Sequence, residues 1–325
     1  MRVGVIGVGS MGQNHARVLG DLDVLGGVCD TDPTTGKAVA QRFGTSYFPS
    51  LGDMLSKDLD AVSIATPTRR HFEVAREALR RGFHVLLEKP FTGDPALAKK
   101  LTRLAKDRDV VLAAGLIERH NPVVEFAHDA IRKGEYGKLI TISSRRVSSL
   151  PTRIRDVGVM MDLGLHDVDV MRYVTASEVT RVYSVGGKER HEEFEDNATA
   201  LLTFDTGASG VVEANWLTPM KVRKLSLTCL KNFVELDYIN QSLEISSSTL
   251  KDYDPSRLYQ PSFDHDIRQV ALEKQEPLRR EIQDFLGAIQ EGRKPLVDGD
   301  EAVKSLKVVA AIMESRRRGV PVEPS

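Results

Sequence analysis

Gly7-Val8-Gly9-Ser10-Met11-Gly12 decides the fold. The run follows an apolar stretch, residues 2–8, that reads as a buried strand, and it opens a helical pattern over residues 11–19. Gly7 permits a tight turn, Gly9 lets a pyrophosphate approach the backbone, and Gly12 lets helix and strand pack closely. Ser10 and Met11 then stand at a helix N-terminus, where backbone N–H groups favour an anion. The same pattern asks for a carboxylate at the end of the next strand, and Asp30 lies 18 residues after Gly12. A carboxylate there accepts hydrogen bonds from both ribose hydroxyls and repels a 2′-phosphate. No base stands nearer to it than Lys37, so the spacing favours NAD over NADP. Turn glycines without a ligand are the alternative, which strand, helix and acid together disfavour.

Outward from this motif, strand and helix patterns alternate. Strand-like runs at residues 24–30, 59–65, 83–87 and 110–116 are separated by helical runs at 34–43, 70–81 and 97–107, and Gly82 follows the second of these where a left-handed terminator belongs. Such alternation predicts an α/β, doubly wound parallel sheet with helices on both faces. After Asn121-Pro122 the pattern changes. One helix at 123–133 is followed by strand-like runs at 139–148, 179–185, 199–204, 209–215, 224–230, 233–238 and 243–246, two of them joined by the turn Asp205-Thr206-Gly207. A helix is expected at 157–174, a polar loop or arm at 251–276, and helices again at 278–291 and 300–317. This predicts a dinucleotide-binding domain over 1–120. A substrate-binding and oligomerisation domain of α+β type, with a mostly antiparallel sheet, follows over 121–325, its final helix free to pack back on the first domain.

The chain has 325 residues, which fits about two domains. Apolar residues make up 41% and charged residues 28%, the balance of a globular enzyme and not of a disordered or fibrous chain. Lys and Arg number 45 against 46 Asp and Glu, so there is no basic excess of the kind a nucleic-acid binder carries. Two cysteines, Cys29 and Cys229, exclude a disulfide framework and fit the cytoplasm. The longest apolar run, residues 110–117, is far too short to span a bilayer, and the first residues lack a signal-peptide pattern. No nucleic-acid or membrane partner is expected.

Several groups of residues carry chemistry. Glu88-Lys89-Pro90 closes a strand at the carboxyl edge of the sheet, where ligands bind. A partly desolvated lysine there acquires a lowered pKa, whereas an isolated Lys-Pro in a turn is ordinarily a surface group. Asp162, His166 and Asp169 fall at i, i+4 and i+7 and would share one helix face. That stripe fits a carboxylate-oriented general base, a metal site or a solvated face. Arg145, Arg146, Arg153 and Arg155 crowd into 11 residues, which suits a phosphate or a solvated charged surface. Thr66-Pro67-Thr68, with His71, stands at the same carboxyl edge and is placed either to touch the nicotinamide half of a cofactor or merely to start a helix.

Taken together, Gly7–Gly12, Thr66-Pro67-Thr68 with His71, Glu88-Lys89-Pro90 and Asp162 with His166 and Asp169 resemble the Gfo/Idh/MocA family of sugar and cyclitol oxidoreductases, in order and across both domains. The resemblance implies a Rossmann domain followed by a domain with an open, mostly antiparallel sheet. It implies Lys89, Asp162 and His166 as catalytic residues, no metal, and homodimers or homotetramers formed through the open sheet. Gly7, Gly9, Ser10, Met11, Gly12, Asp30, Thr66, Pro67, His71, Glu88 and Lys89 would hold NAD. Arg119, Arg146 and Arg153, with Asp162 and His166, would hold the substrate. The stretches 3–14 and 153–174 are similar to members acting on UDP-acetamido sugars. That implies oxidation of a secondary sugar hydroxyl, foremost C3 of UDP-N-acetylglucosamine, with His166 as base, Asp162 orienting it and Lys89 stabilising negative charge, or with Lys89 and His166 in exchanged roles. A free polyol or sugar, such as myo-inositol or glucose, is the alternative substrate, and a non-catalytic dinucleotide sensor the alternative role.

Overall fold

The apolar run becomes β1 (Val3–Ile6), wholly buried at the centre of a parallel sheet. Helix α1 (Ser10–Asp21) leaves its end through the glycine loop, and β2 (Leu25–Cys29) returns beside it. The computed structural model describes residues 1–151, 156–251 and 262–325. In the first domain α2 (Pro33–Arg42), β3 (Tyr47–Phe48), α3 (Leu51–Met54), β4 (Ala61–Ile64), α4 (Thr68–Arg80), β5 (His84–Glu88), α5 (Pro95–Asp107) and β6 (Leu112–Gly115) follow in turn. The six strands lie in the order β3-β2-β1-β4-β5-β6, all parallel, as two βαβ halves wound from β1 require. β3 and α3 were not expected, being too short to show a period.

Gly7 is held at φ +83°, a left-handed conformation that L side chains disfavour. A Cβ at Gly12 would stand 1.8 Å from the Gly7 carbonyl oxygen, which is backbone and has nowhere to go. Gly12→Ala is therefore expected to force the loop apart, at an overpacking cost of about 1–3 kcal/mol. NAD titrated by fluorescence quenching should bind far more weakly to this variant, with a lowered melting temperature; wild-type affinity would contradict the packing role.

A 3-10 turn (Ile117–His120) leads into the second domain, which begins with α6 (Pro122–Arg132) and β7 (Leu139–Ser149). A π-helical turn (Met160–Gly164) runs into α7 (Leu165–Thr175), and each of the next seven strands pairs antiparallel with a neighbour in sequence: β8 (Val179–Gly187), β9 (Asn197–Phe204), β10 (Ser209–Asn215), β11 (Leu217–Cys229), β12 (Phe233–Asp237), β13 (Ser242–Lys251) and β14 (Ser262–Val270). Among the described residues the sheet order is β14-β13-β12-β11-β7-β10-β9-β8, antiparallel except for the β7–β10 pair. Inward residues such as Val212, Ala214, Trp216, Leu225 and Leu227 share a core with Val168 and Met171 of α7. The opposite face stays open, with Tyr183, Val185 and Leu201 at 38%, 52% and 54% exposure. Two expectations are corrected here. Residues 262–270 are not loop but β14, paired along β13, because β13 is otherwise an open edge. The helix expected from residue 157 is a single wide turn first and an α-helix only from Leu165.

The last two helices return to the first domain. Leu278, Ile282 and Phe285 of α8 (Pro277–Glu291) complete a core with Val3, Val5, Val18 and Leu19. Helix α9 (Gly299–Arg318) packs on both α5 and α7. Among the described residues no helix is long and apolar enough to cross a membrane.

Candidate active site

The carboxyl edge of the parallel sheet opens into a cleft of about 470 Å³. Its walls include Gly7, Gly9, Asp30 and Thr66 from the first domain and Asp162 from the second. Larger clefts beside α5 and α9 hold none of the residues singled out in the sequence. A Cβ at Gly9 would meet nothing within 4 Å, so the backbone there is bare to the opening. Asp30 accepts Val8 N–H on Oδ2 (2.8 Å) and Asp32 N–H on Oδ1 (2.9 Å). These bonds aim the carboxylate and leave each oxygen a further lone pair for a ribose hydroxyl. The Thr66 hydroxyl is buried with no partner among the described residues, on the wall of the same cleft. Bare glycine backbone, an aimed carboxylate and an orphan hydroxyl fit a dinucleotide. Asp156, which the sequence did not single out, accepts Thr68 N–H (3.0 Å) at the start of α4 and closes one side of the cleft.

Lys89 lines the same cleft. Its Nζ donates to Asp162 Oδ1 (2.6 Å) and to the Asp162 carbonyl oxygen (3.1 Å), an ion pair joining the two domains. The π-helical turn brings Asp162 there. Such turns add a residue to a helix and recur at functional sites. Glu195 supports this one: its carboxylate accepts Met160 N–H (3.2 Å), and its backbone oxygen accepts Val159 N–H (2.9 Å). The wide turn takes Asp162 off the row that would carry it past His166. Asp162 therefore holds Lys89 and does not orient the imidazole, a correction to the expected stripe. His166 is buried, with Nδ1 unpartnered among the described residues. Burial, with the charges of Lys89, Arg146 and Arg223, pushes its pKa well below the ordinary histidine range. A neutral ring beside a cationic Lys89 pairs a proton acceptor with a donor for developing negative charge.

Several other expected site residues have different work. Asp169, the third member of the stripe, accepts two hydrogen bonds from Arg119 (2.8 and 2.7 Å) and one from Ser305 (2.9 Å). Arg119 also reaches Glu301 (2.9 Å) and stacks over Tyr173, so it is an internal strut and not a substrate ligand. Arg146 is likewise buried; its Nε sits 3.0 Å from both Asp167 oxygens, and its Nη1 is 2.8 Å from Glu118. A guanidinium so enclosed leaves no face for substrate, which corrects its assignment too. Arg145 points to the open face and pairs with Glu213 (3.2 Å). Arg153 and Arg155 lie outside the described residues. The His71 ring is buried between the Pro90 and Thr66 carbonyls (2.8 and 2.7 Å), bracing the cleft wall instead of touching the cofactor. Glu88 lines the cleft, but its carboxylate is taken by His15 (2.9 Å) and Lys89 N–H (3.0 Å). Glu281 of α8 comes close to this pair, and burial with the Glu88 charge raises its pKa well above the carboxylate range.

Asp156, Glu195 and Arg223 went unnoticed in the sequence. No local pattern marks Asp156 and Glu195, because each acts across the fold. The alternating pattern of β11 could have placed Arg223 inward, since its flanking residue Leu225 is a core position.

Residues 1–116 match a family model described as the oxidoreductase family with an NAD-binding Rossmann fold, GFO_IDH_MocA. Residues 124–234 match the GFO/IDH/MocA C-terminal domain. A UDP-N-acetylglucosamine 3-dehydrogenase of Acidithiobacillus ferrooxidans is 33% identical over 97% of this chain and 96% of its own. A scyllo-inositol 2-dehydrogenase (NAD⁺) of Bacillus subtilis is 28% identical over 99% of this chain and 96% of its own. A solved structure of the Acidithiobacillus protein superposes with a TM-score of 0.86, at 31% identity, over 97% of each chain.

Proposed function

The chain belongs to the Gfo/Idh/MocA oxidoreductase family, and on that premise we propose that it oxidises a secondary hydroxyl of a nucleotide sugar with NAD, at C3 of UDP-N-acetylglucosamine. The observation that carries this reading is the Lys89–Asp162 ion pair set beside a neutral, buried His166 at the dinucleotide cleft. The substrate rests on the 33% identical relative.

Gly7, Gly9, Gly12, Asp30 and Thr66 would hold the dinucleotide, which when bound would supply the acceptor for the hydride leaving the carbinol carbon. His166 takes the hydroxyl proton; its depressed pKa keeps the ring free to accept it at neutral pH. Lys89 donates a hydrogen bond to the same oxygen and favours the charge that develops on it. Asp162 fixes the Lys89 ammonium through two contacts, so the donor is already oriented.

The test is a panel of UDP-N-acetylglucosamine, myo-inositol, scyllo-inositol and glucose, each with NAD and NADP, followed at the reduced-nicotinamide absorbance. Turnover confined to the nucleotide sugar supports the reading. A preference for a free polyol would instead favour the second reading, which the inositol relative and the withdrawal of Arg119 and Arg146 into the core keep open. Absence of turnover on every substrate would leave the dinucleotide-sensor role.

Asp30 should select NAD. Asp30→Ser removes the ribose contacts and the repulsion of a 2′-phosphate together. The ratio of kcat/KM for NAD over NADP is expected to fall by about tenfold or more, as loss of a charge-assisted bond implies. An unchanged ratio would move cofactor choice elsewhere. The open sheet face, with its exposed Tyr183, Val185 and Leu201, is proposed to pair copies of the chain into a cytoplasmic homodimer or homotetramer.

A further inference from the structure

Among the described residues four arginines are buried: Arg119, Arg146, Arg172 and Arg223. The first three each meet carboxylates within 3.0 Å. Arg223 meets none. Its Nη1 donates to the Val147 and Val222 carbonyl oxygens (both 2.8 Å), which fixes the head group. Nε and Nη2 have no partner among the described residues, yet they are not sealed in the core as Arg146 Nη2 is. They keep access to open space.

The fold gives this free edge a direction. Arg223 stands directly across from Arg146 in the β7–β11 ladder, on the inward face. The ladder is irregular between Leu217 and Val222, just before it, and such bulges re-aim side chains. Val147, which holds the head group, is near the end of β7, and the chain beyond it returns at Asp156 and Val157 on the cleft wall. The Asp162 carboxylate acts on the Arg223 charge, and Arg223 in turn helps keep His166 neutral. Burial and the neighbouring Arg146 charge lower its pKa to about 10, against the pull of Asp167, Glu118 and Asp162. A cation whose head group is fixed on one side and whose remaining donors face open space is preorganised for an anion.

We propose that Arg223 is the substrate's anion anchor: its free edge takes a phosphate oxygen of the nucleotide-sugar diphosphate while the reacting hydroxyl lies between Lys89 and His166. The diphosphate hangs from the anomeric carbon, which only C2 separates from C3, so the anchor has to sit just beyond the catalytic pair. Arg223 does. The arginine fork suits such an oxygen through paired N–H donors. This inference rests on the nucleotide-sugar reading above and takes the place that the sequence had assigned to Arg119 and Arg146.

The experiment compares wild type with Arg223→Gln and Arg223→Lys, using UDP-N-acetylglucosamine as substrate, UDP as competitive inhibitor and saturating NAD. In Arg223→Gln, KM and the UDP inhibition constant are expected to rise together by about tenfold or more, the worth of a charge-assisted contact. The NAD dissociation constant should stay within about twofold on the same scale. Arg223→Lys keeps the charge without the fork and should lie between. If the glutamine variant does not fold, the lysine variant carries the test: a severalfold rise in both constants with NAD binding intact supports the anchor. Unchanged constants for UDP and the sugar would overturn it, as would an equal loss of NAD affinity, which marks a structural role. A wild type that neither oxidises nor binds the UDP-sugar removes the nucleotide-sugar reading and the anchor with it. A wild type that does, alongside an indifferent variant, removes Arg223 alone.

Discussion

Lys89→Met is expected to lower kcat by about 10²–10³, the usual effect of deleting one donor to a developing oxyanion. The methionine keeps the length of the stem and loses the charge, so the ion pair to Asp162 disappears while the cleft keeps its shape. His166→Asn, which keeps a polar side chain but accepts no proton, should lower kcat by about 10²–10⁴. NAD should bind both variants as it binds wild type, because the glycine loop and Asp30 are untouched; fluorescence titration checks this beside steady-state turnover. The pH profile supplies a second measurement. An unburied imidazole base would lose activity below about pH 6.5. With His166 held well below that range by burial and three nearby cations, wild-type kcat/KM should stay level through pH 6 and fall only at lower pH. Near-normal turnover in both variants would reject the mechanism.

The largest expected loss of stability follows Arg146→Met. The variant strands Asp167, which is completely buried, and removes the partner of Glu118. Breaking one side of a buried ion pair destabilises by about 3–5 kcal/mol. Urea unfolding should therefore show a much lower midpoint, with little change in the KM of whatever variant remains folded. The loss should also depend on pH. Burial raises the Asp167 pKa to about 6, although Arg146 pulls it down. A carboxyl raised above its unfolded value of about 3.9 contributes stability at low pH and loses it as pH climbs through 6. Without Arg146 that loss is uncompensated, so the deficit should be greater at pH 8 than at pH 5. Adding Asp167→Leu should recover part of it, since an apolar replacement removes the stranded charge. A deficit confined to KM would restore Arg146 to the substrate site.

The first domain was legible because its signals are local. Gly7–Gly12, Asp30 and the alternating runs sit within a few residues of the structure they dictate, and the sheet order follows. Lys89 was found for the same reason, at a strand end. The arginines were misread because an arginine near a site motif looks the same whether it faces a phosphate or a carboxylate from elsewhere in the chain. Arg119 finds Asp169 and Glu301, at sequence separations of 50 and 182 residues, and nothing short-range announces either. Helical spacing misled at Asp162 for a different reason. It assumed one period through a segment that changes period at Leu165, and no residue between Met160 and Gly164 marks a wide turn.

The return of α8 also bears on how the chain is made. A ribosome delivers β1 through β6 early, and domains generally fold as units while synthesis proceeds. Here that unit is unfinished. Val3, Val5, Val18 and Leu19 share their core with Leu278, Ile282 and Phe285, which emerge only after the whole second sheet. Until then the face of α1 that α8 covers is bare apolar surface, and Arg17 lacks its partner Glu276. A nascent chain stalled after the second sheet is thus a client for chaperones that bind apolar surface, and it gains a complete first domain only once α8 has emerged.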